Sequence, residues 1–380
     1  MTHNGHIFLT GATGSLGSFL LKELLDKGYR LSVLVRGRQR LSAADRFRAA
    51  VEFVYRDEWD LDFIFDRVTV VEGEITQPGL GIPPTEMERL VAETDIMIHS
   101  AALAGLNFPL EFIRMVNVEG TRNVMEMASQ CHQFGRLRHI HHISTMYIAG
   151  DHRGDFDETM LDVGQGFHNT YEQTKFEAEH LVRDYQAQGL PVKILRPSMV
   201  MGDSCTGRIN SFRLFYHPLH YLARELFEVF PCDLDCRQNL INIDVAVRAI
   251  STLLTDDSGN DVYHIMTPEG IRLREFLNMA ARYFEFRLPR CVPSDKFDFS
   301  RLTPVQKGLC AEHVPYFNYR ACFQAGKTEK LLQSHYDFHY PVVNEEILRA
   351  VFRYCVETGF LKRRGGGGYD DCAERYFDAD

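Results

Sequence analysis

Three features of this 380-residue sequence predict an α/β protein built on a doubly wound parallel sheet. Short apolar strands alternate with helical patterns at least four times from Ile7 onward. The first strand runs directly into a glycine-rich turn that opens a helix. A small, mostly helical part follows once the alternation changes character after Val200. Repeated strand–helix alternation calls for a parallel sheet covered on both faces, with ligands held at the carboxyl ends of its strands.

The first strand is Ile7–Thr10, followed by Gly11-Ala12-Thr13-Gly14-Ser15-Leu16-Gly17 and a helix through Leu25 that stops at Lys27-Gly28. Strand, glycine turn and helix in this order form the Rossmann context for a dinucleotide. Gly11 permits the tight turn, Gly14 lets the backbone approach a pyrophosphate, and Gly17 lets the helix pack on the strand. The phosphates would rest on the helix N-terminus, where free N–H groups and the helix dipole favour anions. A second strand, 30–37, ends at Arg36, with Arg38, Arg40 and Arg46 close behind. An NAD site usually places an acidic residue there for the ribose 2′-hydroxyl. A guanidinium instead suits a 2′-phosphate, so NADPH is the expected cofactor.

A helix over 43–56, a third strand over 67–73 ending in Glu74-Ile75, and a short helix over 83–92 come next. The fourth strand, 95–102, ends in the small residues Ser100, Ala101 and Ala102, which would let a cofactor lie close to the backbone. One long helix is expected from Phe112 to Cys131, including Asn117. The fifth strand, 138–145, carries His139, His141 and His142. Strand alternation puts the first two on one side and the third on the other, so no metal site is expected. That strand delivers Ser144 and Thr145 to the same edge as the cofactor.

A loop over 146–168 leads to a helix over 169–183 carrying Tyr171 and Lys175. Four residues apart, they share a helix face. An ammonium near a phenol favours the phenolate, lowering its pKa from about 10 toward working pH. Such a phenol can exchange a proton with a carbonyl or alcohol oxygen, and a hydroxyl from Ser144 or Thr145 can support the same oxygen.

Beyond Val200, the aromatic stretch 208–230 (Phe212, Phe215, Tyr216, Tyr221, Phe227, Phe230) is expected to be helical, either as a lid over a long apolar substrate or as ordinary core. A strand at 239–243 and a helix at 244–254 are expected to return to the sheet, followed by a strand at 261–265 and a helix at 272–286. The expected division is a Rossmann domain over 1–205, with 235–268 returning to its sheet. A substrate-binding part covers 206–234 and 269–362, and 363–380, with its run of four glycines, is a flexible tail.

Composition narrows the partners. A net charge of −10 argues against nucleic acid or an anionic membrane surface. No stretch approaches the about 20 apolar residues of a membrane span, and no targeting segment opens the chain, so a cytoplasmic location is expected. Nine cysteines without zinc-like spacing read as reduced core thiols.

The glycine turn, Ser144-Thr145 and Tyr171-x-x-x-Lys175, in this order, resemble the extended short-chain dehydrogenase/reductases over about residues 5 to 270. Four passages narrow the resemblance: 34–37, 71–81, 171–179 and 196–204. They are similar to the branch of thioester reductases, reductase domains of carboxylic acid reductases, and fatty acyl-CoA reductases. The resemblance implies that Gly11, Thr13, Gly14, Ser15, Leu16 and Gly17 hold the pyrophosphate, and Arg36 with Arg46 the 2′-phosphate. Glu74-Ile75 would lie by the adenine. Ser100, Ala101, Ala102 and Asn117 would line the cofactor site, and Lys175 would also hold the nicotinamide ribose. Pro197, Ser198 and Val200 would flank the ring.

Thr145 matches the family's hydroxyl better than Ser144, its neighbour. Glu74 replaces the usual aspartate. The implied activity is NADPH-dependent reduction of an acyl thioester to an aldehyde, with a second round giving the alcohol. No adenylation unit, carrier-serine motif or membrane tail is evident, so the acyl group is expected on a separate molecule, coenzyme A or a carrier protein. Two rival readings use the same machinery on a steroid-like secondary alcohol or ketone, or on a nucleotide sugar as an epimerase or dehydratase. A non-catalytic NADP sensor is the third rival, against which the joint presence of Thr145, Tyr171 and Lys175 weighs.

Overall fold

The structure, a computed structural model, describes residues 4–38, 41–56, 61–258 and 261–363. The expected tail at 363–380, apart from Arg363, lies outside them, Cys372 included, and so does Arg40. The chain divides into two compact units.

The first unit comprises Met1–Ser198, Ala246–Ile265 and Phe323–His339. Its strands are β1 (His6–Thr10), β2 (Arg30–Val35), β3 (Val68–Glu72), β4 (Ile96–His99), β5 (His139–Ile143), β6 (Val192–Pro197) and β7 (Val262–Ile265). They form one seven-stranded parallel sheet in the order β7-β6-β5-β4-β1-β2-β3. The order reverses beside β1, which opens a crevice at the carboxyl edge between β1 and β4. Helices α1 (Ser15–Asp26), α2 (Ala43–Tyr55), α3 (Pro84–Glu93), α4 (Gly120–Phe134) and α5 (Thr170–Ala187) connect these strands. Every residue from Ile7 to Thr10 is buried, as are Leu20, Leu21, Leu24 and Leu25 of α1. Phe8, Met97, Ile140 and Ile194 of the strands share a core with Val124, Met125 and Ala128 of α4 and Val182 of α5. The near-continuous apolar strands are what burial on both faces requires. Ser42 caps α2 in a reciprocal box with Asp45, and Asn169 caps α5.

The long helix expected over 112–131 is three pieces: Leu110–Arg114, a π-helical turn Met115–Glu119, and α4. The inserted turn re-aims Asn117, with consequences described below.

The second unit comprises Met199–Val245, Met266–Cys322 and Tyr340–Asp380. Residues 323–339, expected in the smaller part, group with the first unit instead. The strand expected at 239–243 does not return to the main sheet. Leu240–Asn242 pairs in parallel with Met199–Met201 as a separate ribbon. The helix expected over 208–230 is also shorter than predicted. Only Tyr216–Ala223 is α-helical, and Val229–Pro231 is a strand paired with Arg290–Val292. Leu214 and Glu225, both at φ 52°, flank the helix. A left-handed residue interrupts helical hydrogen bonding, and neither is a glycine that would have announced it. The six aromatic residues of this stretch are buried, with Phe212 stacked on Phe360 at 4.2 Å and Phe215 on Tyr216 at 4.0 Å.

Among the described cysteines, 131, 232, 236, 310 and 355 are buried. Cys205 and Cys322 are exposed, against expectation. No helix among the described residues is long and apolar enough to cross a membrane.

Candidate active site

The glycine turn shows three distinct constraints. Gly11 has φ 79°, and a Cβ there would lie 2.6 Å from the Ala101 nitrogen. A Cβ on Gly17 would lie 2.0 Å from the Gly11 carbonyl oxygen, so only glycine lets α1 approach β1. Gly14 is exposed and would meet only that same oxygen, at 3.3 Å. The space beside Gly14 is therefore free for a ligand. Gly14 is also the N-cap of α1 and contributes no side-chain cap. The first turn of α1 carries no carboxylate, and a helix N-terminus of that kind suits an anion.

The end of β2 carries positive charge. Arg46 donates from Nη1 to the Arg36 carbonyl at 2.7 Å and from Nη2 to Thr13 Oγ1 at 3.3 Å. Arg36 meets Glu74 Oε2 at 3.2 Å. Burial, then the charges of Arg38 and Arg36, lower the Arg46 pKa, with Glu74 opposing. Cations gathered around one carboxylate repel one another, and an added anion relieves that repulsion.

At the other end of the crevice, the Lys175 ammonium is buried and donates to the Ile143 carbonyl at 2.8 Å. Ile143 is the last residue of β5, so this bond ties the Tyr171 helix to the strand end that presents Ser144 and Thr145. Burial lowers the Lys175 pKa to about 8, with the Glu179 charge acting the other way. The group is still protonated at neutral pH. Thr145 is buried and accepts from the Tyr147 N–H at 3.3 Å. Ser144 instead donates to Glu179 Oε2 at 2.7 Å. Glu179 is fully buried and paired with the equally buried Arg196, Nη2 to Oε1 at 2.6 Å and Nε to Oε2 at 3.1 Å. Arg196 also donates to His264 Nε2 at 3.1 Å, so His264 holds its proton on Nδ1 toward the Gln324 carbonyl at 2.7 Å. Ser144 thus caps a buried ionic network, whereas Thr145 is the strand-end hydroxyl outside it.

Behind the crevice, a second buried chain runs across the sheet edge. The Ala101 N–H donates to Thr10 Oγ1 at 3.3 Å, and Thr10 meets His99 Nδ1 at 2.8 Å. His99 Nε2 meets Thr121 Oγ1 at 3.0 Å, and Thr121 donates to the Asn117 carbonyl at 2.6 Å. Thr121 gives its proton to Asn117, so His99 carries its own on Nε2 and accepts at Nδ1. Burial and then Lys175 lower the His99 pKa to about 3, which keeps the ring neutral. The Asn117 amide accepts from the Leu103 N–H at 2.8 Å and donates to the Leu103 carbonyl at 3.1 Å and Thr174 Oγ1 at 3.0 Å. Its polar atoms join the loop after β4 to α5. Neither this chain nor the Ser144–Glu179–Arg196 network is readable from sequence, because each joins residues far apart in the chain.

The family model described as male sterility protein matches residues 9–250. The chain belongs to that family of NAD-binding domains. Among solved structures, this family member is similar to the terminal R domain of the myxalamid PKS-NRPS biosynthetic pathway. The likeness has a TM-score of 0.81 at 29% identity, covering 95% of this chain and 93% of that one. Among curated proteins it is 26% identical over 93% of its length to a linear gramicidin synthase protein of Brevibacillus parabrevis, and spans 7% of that protein. It is 26% identical over 67% of its length to the fatty acyl-CoA reductase wat of Drosophila melanogaster, spanning 54% of it. The chain thus spans a fraction of these curated relatives.

In this NAD-binding family member, Gly11, Arg36, Glu74, Ser100, Thr145 and Pro197 all stand at the carboxyl ends of the parallel strands or just beyond them. Thr13, Ser15 and Leu16 are half-buried in the glycine turn and the start of α1, and Ala102 is exposed after β4. Ile75 is buried, and its carbonyl accepts from Asn123 Nδ2 at 2.7 Å. Ser198 is buried, and its hydroxyl has no partner among the described residues. Val200 belongs to the second unit.

Proposed function

We propose that this protein is an NADPH-dependent reductase that converts an acyl thioester, carried by coenzyme A or a separate carrier protein, to an aldehyde. The observation that carries the reading is the 2.8 Å bond from Lys175 to the Ile143 carbonyl, which gathers the Tyr171 helix and the Thr145 strand end around one point. The family and the similarity to a terminal reductase domain support the substrate class. The residues fit the cofactor: Gly14 leaves room for a pyrophosphate, and Arg36, Arg38 and Arg46 suit a 2′-phosphate.

NADPH held in this crevice would supply a hydride to the thioester carbonyl carbon. Thr145 and Tyr171 hydrogen-bond the carbonyl oxygen as negative charge grows on it. Tyr171 gives that oxygen its proton, and the Lys175 ammonium stabilises the phenolate left behind. The resulting hemithioacetal loses thiol to leave aldehyde. Ser144 orders the strand end through Glu179 and takes no part in proton transfer.

The test is loss of nicotinamide absorbance with purified protein, NADPH or NADH, and a chain-length panel of acyl-CoAs and acyl carrier proteins. NADPH-dependent turnover that disappears in Tyr171→Phe is the expected result. Turnover of ketones or alcohols with none of any thioester overturns the substrate class.

A further inference from the structure

Glu172 lies one residue past Tyr171, in the first turn of α5, and its side chain is 0% exposed. Its Oε2 accepts from the His168 backbone N–H at 2.9 Å and from His168 Nδ1 at 3.0 Å. Its own N–H donates to the Asn169 side chain at 3.0 Å. This resembles a capping box, except that the carboxylate reaches one residue further back, to the residue preceding the cap. The second oxygen, Oε1, is buried with no partner among the described residues. A carboxylate so placed depends on the imidazole for its countercharge.

The segment leading in is tied down as well. Asp151 Oδ1 accepts from the Gly166 N–H at 2.7 Å, and the Gly166 carbonyl accepts from the Asp151 N–H at 3.0 Å. Gln165 Nε2 donates to the Ile148 and Leu161 carbonyls at 2.9 and 2.8 Å. Thr170 Oγ1 donates to the Phe108 carbonyl at 3.0 Å. The His168–Glu172 contact closes the last gap between this anchored loop and the helix, and Tyr171 lies inside the closed span.

We propose that His168 and Glu172 are positioning residues for Tyr171, forming a clasp between a half-buried imidazole and a buried carboxylate that fixes the first turn of α5 and makes its order depend on pH. The proposal rests on the reading of Tyr171 as the proton donor. Burial alone would lower the His168 pKa, but the hydrogen bond and charge of Glu172 on α5, with Asp151 on the preceding loop, outweigh it and raise the value above 6.5. A group raised on folding contributes fully below its unfolded pKa, and its contribution is lost as pH rises through the folded one. The clasp therefore holds at pH 6 and loosens in alkali.

The test combines a readout that needs no turnover with one that does. The His168 imidazole is titrated by NMR in the intact protein and in Glu172→Gln, which keeps the shape and removes the charge. Amide exchange of residues 170–174 is followed over the same pH range. The expected result is a His168 pKa above 6.5 that drops in Glu172→Gln, with faster exchange in the first turn of α5 once His168 deprotonates. A pKa at or below about 6.5 in the intact protein, or exchange that ignores its titration, overturns the clasp whatever the enzyme reduces. With turnover, Glu172→Gln and His168→Gln lower kcat by roughly ten- to a hundredfold and leave the KM for NADPH unchanged. His168→Asn, whose amide replaces the Nδ1 donor, recovers part of kcat and loses the pH step. A raised KM for NADPH with unchanged kcat would overturn the positioning role while leaving the reductase reading intact.

Discussion

The two ends of the sheet edge are built on opposite terms. At the Tyr171 end, Lys175 is bonded to Ile143, Ser144 to Glu179, and Glu179 to Arg196, all buried. At the arginine end, Arg36 and Arg38 are exposed and Arg46 is half-buried, with Glu74 paired to Arg36 and its charge also felt by Arg46. The first end is held by the protein's own bonds, so its order owes nothing to a ligand. The second carries a surplus of positive charge that an anion would neutralise. On the proposed function, the difference is a division of labour: chemistry would be preorganised where water is excluded, and cofactor choice left to a rim that the cofactor itself completes.

The sharpest way to break that division is Tyr171→Phe. Loss of a positioned general acid is expected to lower kcat by about 10²- to 10⁴-fold, with NADPH affinity unchanged in a fluorescence titration. Weaker cofactor binding with intact chemistry would merge the two ends. Glu179→Ala comes next. Leaving Arg196 buried without its carboxylate is expected to cost about 3–5 kcal/mol of stability, read as a shift of the urea midpoint. A midpoint that does not move would mean that the network does not hold the strand end.

At the rim, Arg46→Ala is expected to weaken NADPH by roughly one to two powers of ten, as loss of a hydrogen bond to a charged group worth about 1.5–3 kcal/mol predicts. NADH should be unaffected, and the NADPH preference should fade with added salt, because this site is open to solvent. Equal losses for both cofactors would assign Arg46 to folding rather than to selection.

What the sequence makes legible follows the same line. The glycine turn, the basic end of β2 and the Tyr171–Lys175 spacing are local patterns, and local patterns survive without coordinates. The parallel sheet is legible too, from the alternation of strands and helices. Asn117 reads as part of an uninterrupted helix because a π turn has no residue signature. The His99 chain and the Arg196 network join residues up to 91 positions apart, which only tertiary folding brings together, whereas the clasp's partners stand four apart and only the burial of its carboxylate is hidden from the sequence. The stretch 208–230 reads as one helix because aromatic residues are common to buried helices and strands alike, and its breaks fall at Leu214 and Glu225 rather than at glycines.

The smallest expected effect compares the two ends through pH. The Lys175 pKa is held at about 8 by burial, so the ammonium is lost as pH rises through that value. Without it the phenolate form of Tyr171 loses its countercharge, and kcat is expected to fall several-fold between about pH 7.5 and 9. Guanidinium groups stay protonated throughout, so the 2′-phosphate's share of NADPH affinity should hold steady over the same range, and any loss there reports the ribose contact that the family resemblance assigns to Lys175. His168 titrates above 6.5 and could overlap the fall, and His168→Asn separates the two, since it removes the clasp's step and leaves that of Lys175. A cofactor affinity that falls together with kcat in that variant would mean that Lys175 serves binding as much as chemistry, and the line between the two ends would then have to be drawn on the other side of the lysine.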